Sequence, residues 1–169
     1  MEGAYVIDIE KHEDQRGFFS RSFCKHEFTR MELETNIVQC NISFNTMKGT
    51  IRGMHYQASP HQEAKLVSCI KGRVYDVIVD LRSESPTYCQ WQKVELDADD
   101  FRMIYVPDGC AHGFQTLKDN SAVFYQMFEY FHKESGRGVR WDDNAFGINW
   151  PLPVKIITER DCTYSDFKK

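Results

Sequence analysis

The sequence predicts an all-β protein, built as a jelly roll or β-sandwich with few short helices. Aromatic residues are abundant, with 12 Phe, 8 Tyr and 3 Trp. They fall in short runs whose apolar pattern is alternating or continuous rather than helical, which favours strands. Turn signals such as Lys71-Gly72, Ser85-Pro86 and Asp108-Gly109 separate many of these runs. Short strands at this spacing are typical of a doubled or closed antiparallel sheet.

The predicted strands follow one another along the chain with turns between them. In order they span residues 5–9, 18–23, 37–44, 50–57, 65–70, 74–81, 88–96, 102–106, 113–117 and 123–131. One short helix is predicted at residues 26–34, because Phe28, Met31 and Leu33 would lie on one side of it. No linker or repeat interrupts the pattern, so we expect a single domain over residues 1–169.

Composition and charge exclude several classes of function. Acidic residues number 25 against 21 basic ones, and the net charge of −4 supplies no general field for holding nucleic acid. No apolar run approaches the roughly 20 residues of a membrane span, and the N-terminus lacks the pattern of a signal peptide. We therefore expect a cytoplasmic protein that binds neither nucleic acid nor a membrane.

The six cysteines are widely spaced and form no CxxC pair, which argues against a zinc knuckle or a thioredoxin-type motif. In a reducing compartment we expect free thiols, most of them buried. Cys110 lies beside the histidine loop described next. Packing is the favoured interpretation of this cysteine, and nucleophilic chemistry is the alternative.

Two loops carry the most informative chemistry. One runs from Gly49 through His55 to Gln57, and the other reads Pro-Asp-Gly-Cys-Ala-His and ends at His112. They resemble the two cupin motifs, except that Gln57 replaces the second histidine of the first motif. One hypothesis is a metal site made of His55, Glu63 and His112. The other is that His55 acts directly as an acid or base, since histidine titrates near neutral pH.

Longer stretches resemble the dTDP-4-dehydrorhamnose 3,5-epimerase family, and they occur in the expected order. They are DQRGFFSRSF, TIRGMHYQ, KLVSCIKGRVYDVIVDLR, SPTY, VPDGCAHGF, VFYQMFEYF, RGVRWDD and GINWPL, from about residue 17 to 161. The resemblance implies a cupin jelly roll, a homodimer, and action without a metal or other cofactor. The implied substrate is a nucleoside-diphosphate 4-keto-6-deoxy sugar, used in deoxysugar and cell-surface polysaccharide biosynthesis.

The resemblance also implies a set of catalytic residues. A ketone at C4 acidifies the protons on C3 and C5, so one base could invert either carbon through an enolate. By resemblance His55 is the base, Asp161 orients its ring, and Lys65 is the cation near the enolate oxygen. Tyr125 is the acid that returns a proton from the opposite face. The alternatives are a packed core histidine, a turn-capping Asp161 and a core tyrosine.

Ten further residues are expected to bind the substrate. They are Arg16, Phe19, Arg21, Gln39, Asn41, Arg52, Gln57, His112, Tyr130 and Arg140. Arginine suits bidentate phosphate contact, so Arg16 and Arg52, with Gln39, are expected at the diphosphate, and rim salt bridges are the alternative. Aromatic packing on the base is expected of Phe19 and Tyr130, and a core role is the alternative.

Two departures from the family pattern leave the substrate open. Arg21 stands where many members have a glutamate that accepts a hydrogen bond from thymine, and arginine cannot accept one. Thymidine, cytidine and guanosine diphosphates therefore all remain candidates. Phe131 replaces a tyrosine, which leaves open whether C3, C5 or both are inverted. The competing functions are a 3,4-ketoisomerase, a metal-dependent cupin enzyme and a non-catalytic sugar-binding cupin.

Overall fold

Two five-stranded antiparallel sheets make up most of the protein, which a computed structural model describes over residues 1–168. The first sheet has the order β1 (Tyr5–Ile7), β9 (Met103–Val106), β6 (Lys65–Lys71), β11 (Ser121–Met127) and β4 (Gln39–Asn45). The second has the order β12 (Gly136–Gly138), β5 (Ile51–Gln57), β10 (Cys110–Thr116), β7 (Arg73–Asp80) and β8 (Trp91–Asp97). A separate hairpin joins β2 (His12–Asp14) to β3 (Gly17–Phe19), and the helices are α1 (Lys25–Arg30) and α2 (Glu159–Cys162). The all-β prediction is confirmed.

The main core lies between the two sheets. Val67 and Val123 of the first sheet pack with Val74, Ile78 and Leu96 of the second, and all five are buried. Burial of these side chains removes apolar surface from water, which is the main favourable contribution to folding. The two sheets therefore form the sandwich that the sequence predicts.

Further segments cover the outer faces of the sheets. Phe146 and Ile148, in the C-terminal segment, pack on Met54 and Val77 of the second sheet. As a result β7 is buried on both faces, which explains its continuous apolar run. On the first sheet, Phe28 of α1 packs with other buried aromatic residues. That these layers make up a single domain stays a prediction.

Several predicted limits needed correction. The strand predicted at 18–23 spans Gly17–Phe19, the strand predicted at 113–117 spans Cys110–Thr116, and the helix predicted at 26–34 spans Lys25–Arg30. The strand predicted at 88–96 begins only at Trp91, because the preceding turn folds around Asp80. The buried Asp80 carboxylate accepts hydrogen bonds from Arg82, Ser85 and Thr87. The strand predicted at 123–131 ends at Met127. The sequence interpretation also missed β2, β12 and α2, which are only three or four residues long.

The cysteines differ in part from the prediction. All six are free thiols, as expected, but only Cys69 and Cys110 are buried. Cys40 and Cys162 are exposed, so the prediction that most are buried was wrong. Cys40 lies on the outer face of the edge strand β4, where no further strand covers it. Among residues 1–168, no helix has both the length and the apolar character needed to cross a membrane.

Two glycines let β5 and β10 approach closely beside the predicted catalytic histidine. A Cβ at Gly113 would lie 2.7 Å from the carbonyl oxygen of Arg52 and 2.7 Å from the sulfur of Met54. Gly53 has φ +130°, a conformation that favours glycine. Between these strands His112 lies opposite His55 in the register. The close approach therefore sets the relative position of the two histidines.

We expect Gly113→Ala to lower the free energy of unfolding by about 1–3 kcal/mol, because the added methyl group must displace backbone and a buried sulfur. Urea denaturation measures this change. Gly136→Ala is the matched control, since its Cβ would meet no atom closer than 3.4 Å. Equal losses in the two variants would contradict the proposed role of the close approach.

Candidate functional site

Two adjoining cavities open between the sheets, with volumes of about 540 Å³ and 590 Å³. Four residues line both of them: His55, Lys65, Tyr125 and Arg160. His55 belongs to the second sheet, whereas Lys65 and Tyr125 belong to the first. A molecule bound between the sheets would therefore have His55 on one side and Tyr125 on another.

His55 is held by a buried carboxylate. Its Nε2 lies 2.7 Å from Oδ1 of Asp161, whose side chain is only 2% exposed. Burial acts to raise the pKa of Asp161, but hydrogen bonds from His55, the Gly53 N–H and Thr158 outweigh it and hold the pKa below its usual value. Asp161 is therefore ionised at neutral pH.

The ionised Asp161 also fixes the tautomer of His55. A carboxylate only accepts hydrogen bonds, so the imidazole proton must lie on Nε2, which leaves the lone pair on Nδ1. Arg160 is close as well, with its Nη2 2.9 Å from the same Nε2 and its Nε 3.5 Å from Asp161 Oδ1. Since guanidinium only donates, it cannot hydrogen-bond a protonated Nε2, and its favourable partner is the carboxylate. With the proton on Nε2, the lone pair of the ring lies on Nδ1.

Lys65 brings a positive charge into the cavities. Its Nζ lies 2.7 Å from Oε1 of Glu63, and the two side chains are only 9% and 5% exposed. Pairing offsets the cost of burying these charges. The other oxygen of Glu63 is buried and has no hydrogen-bond partner within residues 1–168.

Tyr125 faces His55 across the cavities with a phenol that stays protonated. Burial raises its pKa above the usual value; the nearby Arg52 lowers it and Glu63 raises it further. At neutral pH the hydroxyl is therefore a proton donor. A half-buried neutral acid on the wall opposite a basic imidazole is an arrangement suited to moving a proton across a bound molecule.

A second histidine, His112, is paired with a different carboxylate. Its Nε2 lies 2.8 Å from Oδ2 of Asp76, which is fully buried. Each of the two histidines thus contacts a different aspartate through its Nε2. Among residues 1–168, the one group of three potential ligands whose donor atoms converge lies elsewhere, and it does not include His55, Glu63 or His112. The geometry does not favour the metal site hypothesised from the cupin motifs.

Half of the ten predicted binding residues line one of the two cavities. Arg52 and His112 line the smaller one, and Gln39, Asn41 and Gln57 line the larger one. Arg52 donates from Nε to Asn45 at 2.7 Å, and its two terminal nitrogens make no hydrogen bond within residues 1–168. The guanidinium therefore has donors available for an anion in the cavity.

Gln57 contributes mainly as a brace. Its amide nitrogen donates to the carbonyls of His61 and Tyr130, each at 3.0 Å, and its amide oxygen accepts from the His132 N–H at 2.6 Å. The side chain is only 2% exposed. Gln57 thereby joins two loops that edge the larger cavity.

The structure does not bring five predicted residues to these cavities. Arg16 and Phe19 lie on or beside the exposed hairpin of β2 and β3, and Arg21 follows it, 3.7 Å from Glu27. Tyr130 is 57% exposed and lines neither cavity. Arg140 is engaged by Asp142 and Asp166, each at 2.6 Å.

The structure adds functional candidates that sequence reasoning missed. Arg160 lines both cavities and contacts His55, and Tyr164 lines the larger one. Glu63 is paired with Lys65. The sequence contained a signal for each of two of these residues. Arg160 directly precedes Asp161, so its position near the same site could have been expected. Glu63 and Lys65 are two residues apart, and such residues lie on the same side of an extended chain.

Comparisons with known proteins agree with one another. The sequence profile described as dTDP-4-dehydrorhamnose 3,5-epimerase matches residues 1–169. The chain is similar to a protein of that name from Sinorhizobium fredii, at 40% identity over 157 residues, covering 92% of this chain and 80% of the relative. It is also similar to the crystal structure of a dTDP-4-dehydrorhamnose 3,5-epimerase from Bacillus anthracis with TDP and PPi bound, at 38% identity and a TM-score of 0.93, covering 98% of this chain and 94% of the other. A 3′-monoepimerase from Streptomyces bikiniensis in complex with dTDP-quinovose is 29% identical with a TM-score of 0.87, covering 95% and 81% of the two chains.

Cys110 is expected to be chemically inert, because burial raises the pKa of its thiol to about 12. Treating the native protein with iodoacetamide at pH 8 should alkylate the exposed Cys162 and leave Cys110 unmodified, as mass spectrometry of peptides would show. Denatured protein, in which all six thiols should react, is the control. Alkylation of native Cys110 as fast as Cys162 would instead indicate a reactive thiol.

Proposed function

The chain belongs to the dTDP-4-dehydrorhamnose 3,5-epimerase family, and we propose that it inverts both C3 and C5 of a dTDP-linked 4-keto-6-deoxy sugar without a cofactor. At the coarser level it is a nucleotide-sugar epimerase, an isomerase of deoxysugar biosynthesis. The observation that carries the proposal is the placement of a basic imidazole and a neutral phenol on opposing walls of the same cavities.

The reaction begins with removal of a proton next to the ketone. Nδ1 of His55 takes the proton from C3 or C5, and the electron pair of the broken C–H bond moves onto the C4 oxygen to form an enolate. The ring becomes an imidazolium, which the buried Asp161 carboxylate stabilises at 2.7 Å. Asp161 is thus a positioning residue that also offsets the new charge.

Lys65 stabilises the enolate. A fixed ammonium group at the cavity wall interacts more strongly with an enolate oxygen than with a neutral ketone, so it lowers the barrier. Glu63 anchors the ammonium group at 2.7 Å.

Inversion is completed from the other wall. Tyr125 donates its proton to the carbon on the face opposite His55, and the electron pair returns to reform the ketone. Burial raises the pKa of Tyr125, so the phenol is protonated when the step begins. Solvent then reprotonates the phenolate and accepts the proton from the imidazolium, which restores both groups.

The nucleotide proposal comes from the relatives together with Arg52. The Bacillus anthracis structure has TDP bound, and the terminal nitrogens of Arg52 are available to a diphosphate. Arg21 is exposed and near Glu27, so its place in this chain gives no preference for cytosine or guanine. We therefore propose thymine as the base.

One observation favours a second candidate, inversion at C3 alone. Phe131 lines the larger cavity without the hydroxyl of the tyrosine it replaces, and the similar Streptomyces bikiniensis protein is a 3′-monoepimerase. The two candidates differ only at C5. A measurement that follows each carbon separately distinguishes them.

The first test is proton NMR in deuterated water with dTDP-, CDP- and GDP-linked 4-keto-6-deoxy sugars. We expect deuterium at both C3 and C5 of the dTDP sugar. His55→Ala should slow exchange at both carbons by about 10²- to 10⁴-fold, because the base is lost. Tyr125→Phe should allow exchange with poor inversion, because only the acid is lost.

Tyr5→Phe is the matched control, since this exposed tyrosine lines neither cavity and its variant should behave as the wild type. Wild-type exchange by His55→Ala would defeat the assignment of the base. Exchange at C3 alone would support the monoepimerase. A keto-sugar isomerase would instead move the carbonyl group, and a non-catalytic binding protein would give no exchange.

We also propose a homodimer in which the hairpin of one subunit completes the cavity of the other. The hairpin carries predicted substrate-binding residues, yet it lies exposed, with Phe19 at 69%. The outer face of the first sheet exposes Ile42, Phe44 and Ile70, an apolar surface suited to association.

For the compartment we propose the cytoplasm, in keeping with the six free thiols.

Mixing two inactive variants tests the shared site. Arg16→Ala removes the hairpin's phosphate donor, and His55→Ala removes the base. If each cavity uses the partner's hairpin, refolding the two together should restore about a quarter of wild-type activity, because half of the dimers contain one intact site. Refolding each variant alone is the control. Full activity of Arg16→Ala, or no recovery on mixing, would contradict the shared site.

A further inference from the structure

Two imidazole rings outside the catalytic set lie face to face. His61 is in the loop between β5 and β6, and His132 is in the loop between β11 and β12. Their ring centroids are 3.5 Å apart and their planes differ by 10°. Aromatic pairs normally keep their centroids about 4.5–7 Å apart and avoid direct face-to-face stacking. Ring stacking alone therefore does not account for so close a pair.

Two carboxylates lie beside the His132 ring. Glu134 Oε1 lies 3.5 Å from Nδ1 of His132, and Glu129 Oε1 lies 3.8 Å from its Nε2. Single donor atoms of His61, His132 and Glu134 all lie within 4.8 Å of one another. These nitrogen and oxygen donors converge from two different loops, which is the arrangement a shared cation requires.

We propose that His61, His132 and Glu134 bind one zinc ion. Two imidazoles and a carboxylate form a donor set typical of Zn²⁺, with water completing four-coordination. Parallel rings direct their lone pairs side by side, so the two rings must tilt toward each other to share the ion. Glu134 is 74% exposed and His132 30% exposed, which leaves room for this adjustment.

The ion would reinforce a connection that the protein already makes. Gln57 joins the same two loops through the His61 carbonyl and the His132 N–H. Phe131 and Lys133, on either side of His132, line the larger cavity. Zinc would thus fix this cavity wall from the outside.

This inference is independent of the epimerase mechanism. The proton transfers use His55 and Tyr125, neither of which belongs to the proposed metal site. Nε2 of His55 and Nε2 of His112 are both engaged by aspartates. Metal binding and exchange activity can therefore be measured and can fail separately.

Metal titration of the untagged, chelator-treated protein tests the proposal. We expect one Zn²⁺ per chain by isothermal titration calorimetry. Co²⁺ should give visible absorption bands without the thiolate-to-metal charge-transfer band that a cysteine ligand would produce. Zinc should also raise the melting temperature, because it binds only the folded chain.

His61→Ala, His132→Ala and Glu134→Gln should each weaken zinc binding by at least about tenfold. Glu134→Gln changes an exposed side chain and keeps its size, so it separates loss of a ligand from loss of folding. His26→Ala and Cys162→Ser, at exposed positions outside the site, are the controls and should bind as the wild type. No binding by the wild type, or unchanged binding by all three site variants, would overturn the proposal.

Discussion

The contact between His55 and Asp161 is the constraint on which the site depends. It joins residues 106 positions apart and ties the short C-terminal helix to β5. Because Asp161 is nearly inaccessible to water, its charge must be balanced by the groups around it, and His55, the Gly53 N–H and Thr158 do so. The same contact sets the tautomer of the imidazole. The contact that attaches the C-terminal helix to β5 therefore also orients the imidazole.

The other buried charges follow the same rule, and together they give the cavities a fixed pattern of charge. Lys65 is paired with Glu63, and His112 with Asp76. Each pair is anchored on a strand of a sheet, so its charges do not need to reorient when an enolate forms. Preorganised charge of this kind is usually the largest contribution to catalysis.

Sequence patterns predicted most of the strands. They predicted only some of the contacts between residues that are far apart in the sequence. The alternation of apolar and polar residues located the strands, since a strand buried on one face has an apolar side chain at every second position. The family resemblance selected His55, Lys65 and Tyr125, which do line common cavities. The hydrogen bonds of Gln57 could not be predicted from the sequence, because its partners are backbone groups of two loops that strand pairing brings together. Arg140 looked available in the sequence, but Asp166, 26 residues away, engages it.

The sandwich suits a reaction that needs a base and an acid on opposite faces of one ring. Packed sheets lie about 10 Å apart, and where core side chains give way to a cavity, this spacing accommodates a single sugar. His55 and Tyr125 come from different sheets. If they transfer the protons as proposed, the carbon that reacts is the one that the bound sugar presents to both groups. How the sugar is presented then depends on the cavity wall, which includes Phe131 in one of the two loops that Gln57 joins. On the proposed mechanism, the same two groups can therefore serve either carbon, and the loops select between C3 and C5.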